Sequence, residues 1–153
     1  MTKPLFIFDL DGTLALTDHR QHHLEATPPN WGAFFADCHM DGANAPAIAT
    51  MGLLIGAGAE VYIFSGRSDE VEEKTLRWLI EHTPFGSFAH ASRIQMRPSG
   101  DYTPDEVLKR QWYEAMTQAD KDRLIAVFDD RDKVVAMWRS LGVACFQVAP
   151  GGF

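Results

Sequence analysis

The 153 residues, 46% hydrophobic and 23% charged, form a chain long enough to bury one core and too apolar for disorder. The first apolar run, Leu5–Phe8, stops at Asp9, so it is neither a signal-peptide core nor a membrane span, and two scattered cysteines, Cys38 and Cys145, suit a reducing cytoplasm better than a disulfide scaffold. The formal charge of −7 argues against gripping long duplex through its phosphates and favours a small anionic substrate or a strand end held in one pocket.

In chain order, Leu5–Leu10 reads as a strand. Asn30 is placed to cap a short helix in which Trp31, Phe34, Phe35 and Cys38 recur at helical spacing. Core packing is the expectation for those rings, with stacking on a nucleobase as the alternative. Pro46 to Ala57 reads as a second helix, and Gly56-Ala57-Gly58, which precedes a strand instead of following one, marks its end. Glu60–Phe64 is the next strand, and Ser68 can cap a helix that buries Val71, Thr75, Trp78 and Leu79. Phe88–Met96 reads as a strand or extended segment. Thr103 to Glu106 (TPDE) has a Thr N-cap, Pro at the first helical position and Glu three residues after the cap, ahead of a stripe of Val107, Leu108, Trp112 and Ala115. Leu124–Phe128 is an apolar strand ending on Asp129 and Asp130. A helix through Val134, Val135, Trp138 and Leu141 and a strand over Val143–Val148 complete the chain. This alternation predicts an α/β domain with a central parallel sheet flanked by helices.

Ligands of such sheets bind outside the carboxyl ends of the strands. Three predicted strands end in reactive groups: Asp9 with Asp11, Ser65 with Arg67, and Asp129 with Asp130. Lys109, one turn into the TPDE helix, is the natural fourth contributor. Acids gathered this closely repel one another, and burying them unpaired is costly, so a cation belongs among them. With oxygen ligands and no His or Cys in the cluster, that cation is hard, and Mg²⁺ is the expectation.

The run DLDGTL, then FSGR, then Lys109, then FDDRDKVV resembles, in order, the four motifs of the haloacid dehalogenase-like phosphatases. Arg20, Ser65-Gly66-Arg67, MRPSGDYTPDEVLK and the tail from Phe128 resemble more narrowly the 3′-phosphatase domain of phage-type polynucleotide kinase-phosphatases. The resemblance covers nearly the whole chain. It implies a three-layer Rossmann-like core in a single domain, residues 1–153, with a short cap insertion at about residues 15–45. It also implies an Mg²⁺-dependent phosphomonoesterase acting on nucleotide or nucleic-acid 3′-phosphates. Asp9 would be the nucleophile that becomes an aspartyl-phosphate, Asp11 the acid–base partner, Ser65 a donor to a phosphoryl oxygen and Lys109 a neutralising cation. Asp9, Asp11 through its main-chain carbonyl, and Asp129 or Asp130 would hold the metal. Gly66, Arg20, Arg67 and Asp105 would serve the phosphate site, the arginines as cations toward phosphate and Asp105 as a carboxylate steadying Lys109. A charge count with both arginines facing the phosphate balances only if Asp11 holds a proton, as a general acid requires.

Other readings are weaker. Asp18-His19-Arg20-Gln21-His22-His23 looks like a zinc site, but a polar loop over the pocket is the expectation. A 5′-nucleotidase or general small-molecule phosphatase is the alternative activity. A receiver-type phospho-switch would lack an acid two residues after the phosphorylated Asp. No GxxxxGK[ST] run is present, so this chain carries no kinase motif.

Overall fold

The computed structural model describes residues 2–85 and 93–153. β1 (Leu5–Phe8) leads through a turn into an insertion that holds β2 (Ala15–Leu16), the short helices α1 (His22–Glu25) and α2 (Trp31–Ala36), and β3 (Gly42–Ala43). The chain returns through α3 (Ala45–Gly56), β4 (Glu60–Ser68), α4 (Glu72–His82), β5 (Ile94–Arg97), α5 (Asp105–Glu114), α6 (Gln118–Arg123), β6 (Leu124–Asp129), α7 (Asp132–Ser140) and β7 (Cys145–Gln147). The main sheet runs β5-β4-β1-β6-β7, and every adjacent pair is parallel. β1 therefore lies between β4 and β6, and the three strands that carry reactive groups are neighbours.

Alternation along the strands divides the core between two faces. Phe6, Phe8, Val61 and Ile63 pack with Met51 of α3 and with Trp78 and Leu79 of α4. On the opposite face Ile7, Phe64 and Val127 pack with Val134, Val135 and Trp138 of α7. This is the expected α/β sandwich of helices about a parallel sheet. β2 and β3 form a separate antiparallel pair, Ala15 opposite Ala43 and Leu16 opposite Gly42, that closes the stem of the insertion. Asn44 seals the stem: its Nδ2 donates to the Thr13 carbonyl at 2.8 Å and its backbone N–H to the Leu14 carbonyl at 2.9 Å.

Several boundaries differ from expectation. β4 runs on to Ser68 through Ser65-Gly66-Arg67, with its pairing to β5 shifting register between Ser65 and Ser68. β5 keeps only the end of the segment expected at Phe88–Met96, and residues 88–92 lie outside the described residues. Thr103 is not the cap of α5: Pro104 takes that position, extended at φ −54°, ψ 144°, and the helix opens on Asp105. The expected strand over Val143–Val148 shrinks to Cys145–Gln147. Two expected caps form, with Asn30 Oδ1 accepting from Ala33 N at 3.0 Å and Ser68 Oγ from Glu70 N at 3.3 Å. No helix among the described residues is long and apolar enough to cross a membrane.

Candidate active site

The floor of the site is built at the carboxyl end of β1. Asp9 follows the last residue of that strand and is tied to the neighbouring one, its N–H donating to the Phe128 carbonyl at 2.9 Å. Its carboxylate is buried and divided between two donors. Lys109 Nζ donates to Oδ1 at 2.9 Å and Thr13 Oγ to Oδ2 at 3.2 Å. Lys109 also donates to Asp129 Oδ2 at 2.7 Å, so its buried ammonium bridges the ends of β1 and β6. Burial opposes its charge, but Asp129 and Asp9 more than offset this and hold Lys109 firmly protonated.

Asp9, Asp129 and Asp130 each offer a ligand atom within 4.8 Å of the others, and all three are buried. Burial, then Asp129, pushes the Asp9 carboxyl well above the ordinary carboxylate range, and the same two causes raise Asp130 to about 6. Three carboxylates against one ammonium leave two negative charges in excess, which a single divalent cation would cancel. The all-oxygen donor set suits a hard ion. Gly12 makes room for the cluster: at φ +82°, a Cβ there would lie 2.2 Å from Asp130 Oδ2. Asp129 is already engaged, accepting from Lys109 at one oxygen and from Arg131 N at the other, at 3.1 Å.

Asp11 stands apart from the triad, in a network that engages both arginines. Arg20 and Arg67, expected as cations toward phosphate, are each paired with two carboxylates, and Arg67 also lines the cleft. Their guanidinium groups are fully buried and converge on Asp11 and Asp41. Arg20 Nη2 donates to Asp11 Oδ1 and to Asp41 Oδ2, each at 2.8 Å, and its Nε donates to Asp41 Oδ1 at 2.8 Å. Arg67 Nη2 donates to the same Asp11 oxygen and to Asp41 Oδ2 at 3.1 Å, while its Nη1 reaches Thr75 Oγ1. Burial would raise the Asp11 carboxyl, but Arg67 and Arg20 outweigh it and hold the group below its ordinary value. Both cations counted against phosphate are paired with Asp11 and Asp41, an arrangement that favours the Asp11 carboxylate over the protonated form expected of it.

Ser65 is fully buried beneath the cleft, its Oγ accepting from Arg67 N at 3.1 Å, whereas Gly66, Arg67 and Ser68 line the cleft itself. Asp105 also departs from expectation. Its hydrogen bonds come from Arg97 and Arg131, not from Lys109, to which it contributes only through its field. Gly66 permits this, since a Cβ there would meet Asp105 Oδ1 at 2.4 Å. Asp41 and Arg97 escaped the sequence reading. Asp41 is an isolated charge in an irregular segment, and Arg97, at the end of β5, lay within the quoted MRPSGDYTPDEVLK run without being singled out. Thr13 stood within DGT, where a hydroxyl two residues after Asp11 was an available signal. Among the described residues no histidine joins a group that could hold a metal ion: His19 pairs with Asp41 at 2.7 Å and His23 with Asp37 at 2.8 Å.

These groups open into a cleft of about 700 Å³ whose walls include Trp31 and Phe35 of α2, Tyr102 and Arg131. Residues 3–153 match the family described as Polynucleotide kinase PNKP phosphatase domain. The chain belongs to that family. It is a phosphatase of the haloacid dehalogenase type. It is 32% identical over 136 residues to a putative bifunctional polynucleotide kinase/RNA ligase of Autographa californica nuclear polyhedrosis virus, covering 88% of this chain and 18% of the relative. A solved Pnkp1/Rnl/Hen1 RNA repair complex contains a chain similar to it at TM-score 0.79 and 28% identity, covering 99% of this chain and 44% of that one. The fold is shared with a class C acid phosphatase from Bacillus anthracis solved with tungstate bound, at TM-score 0.70 and 15% identity, over 99% of this chain and 68% of that one. This chain thus spans less than half of the first two relatives.

Proposed function

We propose that this phosphatase is Mg²⁺-dependent, works through an aspartyl-phosphate on Asp9, and removes 3′-phosphates from nucleic-acid ends or nucleotides. The observation that carries the reading is the setting of Asp9: a buried carboxylate at the cleft floor, oriented through both oxygens, beside two further acids that leave room in charge for one divalent ion. Asp9, Asp130 and the main-chain carbonyl of Asp11 would hold the ion, while Asp129 secures Lys109. The ion, when bound, would cancel the charge excess and draw a phosphoryl oxygen toward Asp9.

The residues of the chain divide the remaining work. Lys109 holds one Asp9 oxygen and offers positive charge where the phosphoryl group transfers. The Asp9 oxygen bonds to phosphorus as the ester oxygen leaves, and Asp11 supplies the proton that oxygen needs. Asp11 then takes a proton from the water that splits the acyl phosphate, returning Asp9 and inorganic phosphate. The ionised Asp11 of the resting site is ready for the second half. An incoming phosphate dianion favours its protonation for the first half, because nearby negative charge opposes the carboxylate. Arg20 and Arg67 keep it in place throughout. The 3′-end assignment is supported by the family match and by a cleft wide enough for more than the phosphate.

Phosphate release should be measured from one oligonucleotide carrying its phosphate at either the 3′ or the 5′ end, and from 3′- and 5′-mononucleotides, with Mg²⁺ or with chelator. Release from the 3′-substrates in Mg²⁺ alone is expected. Turnover confined to 5′-phosphates, or undiminished by chelator, overturns the reading.

A further inference from the structure

α2 presents aromatic faces to the cleft. The six-residue helix buries Phe34 but leaves Trp31 49% exposed, and the Trp31 and Phe35 rings stack with centroids 5.8 Å apart at 30°. Both line the cleft that holds Asp9 and Asp11. The short helix is fixed at several points. Asn30 caps it, Arg20 Nη1 donates to the Phe34 carbonyl at 3.1 Å, Lys74 Nζ donates to the Ala36 carbonyl at 2.7 Å, and the Arg20 guanidinium lies 4.2 Å from the Phe34 ring centroid. The aromatic pair is therefore a preorganised surface, not a loose cover.

Apart from Lys133, which also lines the cleft, its cations are committed. Lys109 is held by Asp9 and Asp129, Arg67 by Asp11 and Asp41, and Arg97 and Arg131 share Asp105. With a net charge of −7, the protein offers a polyanion little beyond the site of the terminal phosphate. Affinity for the remainder of a strand must come from its other general property, the π-face of each base.

We infer that the Trp31–Phe35 stack is a platform for the terminal nucleobase, and that a strand is held in the cleft by stacking on it more than by its phosphates. This rests on the reading of the site as a 3′-phosphatase. The platform makes the enzyme selective for phosphates borne on an intact nucleotide.

The test compares wild type, Trp31→Ala and Trp31→Phe on two single strands, one ending in an ordinary 3′-phosphorylated nucleotide and one ending in an abasic 3′-phosphate. The ratio of kcat/KM for the base-bearing over the abasic end should fall roughly 10-fold or more in Trp31→Ala, mainly through KM, and be largely kept in Trp31→Phe. The wild-type salt slope should correspond to about one or two phosphates. A ratio that Trp31→Ala leaves unchanged, or a slope of several phosphates, overturns the platform. Tryptophan quenching by an unphosphorylated strand, present in wild type and lost in Trp31→Phe, reads the platform without turnover. Quenching without 3′-phosphate release would sink the 3′-phosphatase reading alone, whereas release indifferent to the base would sink the platform alone.

Discussion

Asp9 has both carboxylate oxygens held by donors, so replacing one by an amide removes the atom proposed to attack while keeping the size of the side chain. Asp9→Asn should lower phosphate release by at least ~10³-fold while the circular dichroism spectrum stays that of wild type. Near-normal turnover would identify a different attacking group. Gly12 is constrained in another way, by its left-handed φ of +82° and by the Asp130 carboxylate 2.2 Å from where a Cβ would sit. Gly12→Ala should cost about 1–3 kcal/mol in denaturant unfolding and shift Asp130 enough to weaken Mg²⁺ dependence. An alanine variant with unchanged stability and metal response would show that the turn relaxes freely.

Among the elements, the insertion is tied to the core through Asp41. That residue ends the short turn before β3, its side chain has no exposure, and it receives Arg20 and Arg67. Its carbonyl accepts from Trp78 Nε1 of α4 at 2.8 Å. Asp41→Ala strands two buried guanidinium groups with Asp11 as their remaining carboxylate, and should cost about 3–5 kcal/mol by chemical denaturation. A loss below ~1 kcal/mol would mean that water or a rearranged Asp11 replaces the lost carboxylate. Such long-range pairs are what the sequence hides. The strands and helices were legible because apolar periodicity is local: the strand expected over Leu5–Leu10 runs Leu5–Phe8, the one over Leu124–Phe128 runs Leu124–Asp129, and α7 carries the stripe of Val134, Val135 and Trp138. The acids at the strand ends were legible for the same reason. The direction of Arg20 and Arg67 was not, since a partner 21 or 26 residues away leaves no trace in spacing. Trp31, Phe34 and Phe35 share one helical period yet differ in burial, because the cleft cuts across the face that the period defines.

For the whole molecule, the acidic cluster couples proton binding to the stability of the fold. Asp130 is raised to about 6, first by burial and then by Asp129. A carboxyl whose folded value lies above its unfolded one costs stability once ionised: the cost is absent below pH ~4 and complete above about 6. In the metal-free protein this group therefore removes stability as pH rises through that window. Mg²⁺ bound to the ionised cluster as proposed would offset the cost, so its increment in Tm should be larger near pH 7.5 than near pH 5. Equal increments at the two values would place the ion elsewhere. The sheet order β5-β4-β1-β6-β7 brings the strand ends together as expected from the alternation of elements, although alternation alone does not dictate which strands adjoin. The two-strand stem at Ala15–Ala43 has a further consequence. A chain that leaves and re-enters through so narrow a doorway could in principle trade its lid for another and keep its chemical floor. Here Arg20 and Asp41 belong to the lid, and Arg20 binds Asp11 on the floor, so under the proposed mechanism exchanging the lid would also disturb the residue assigned to move the proton.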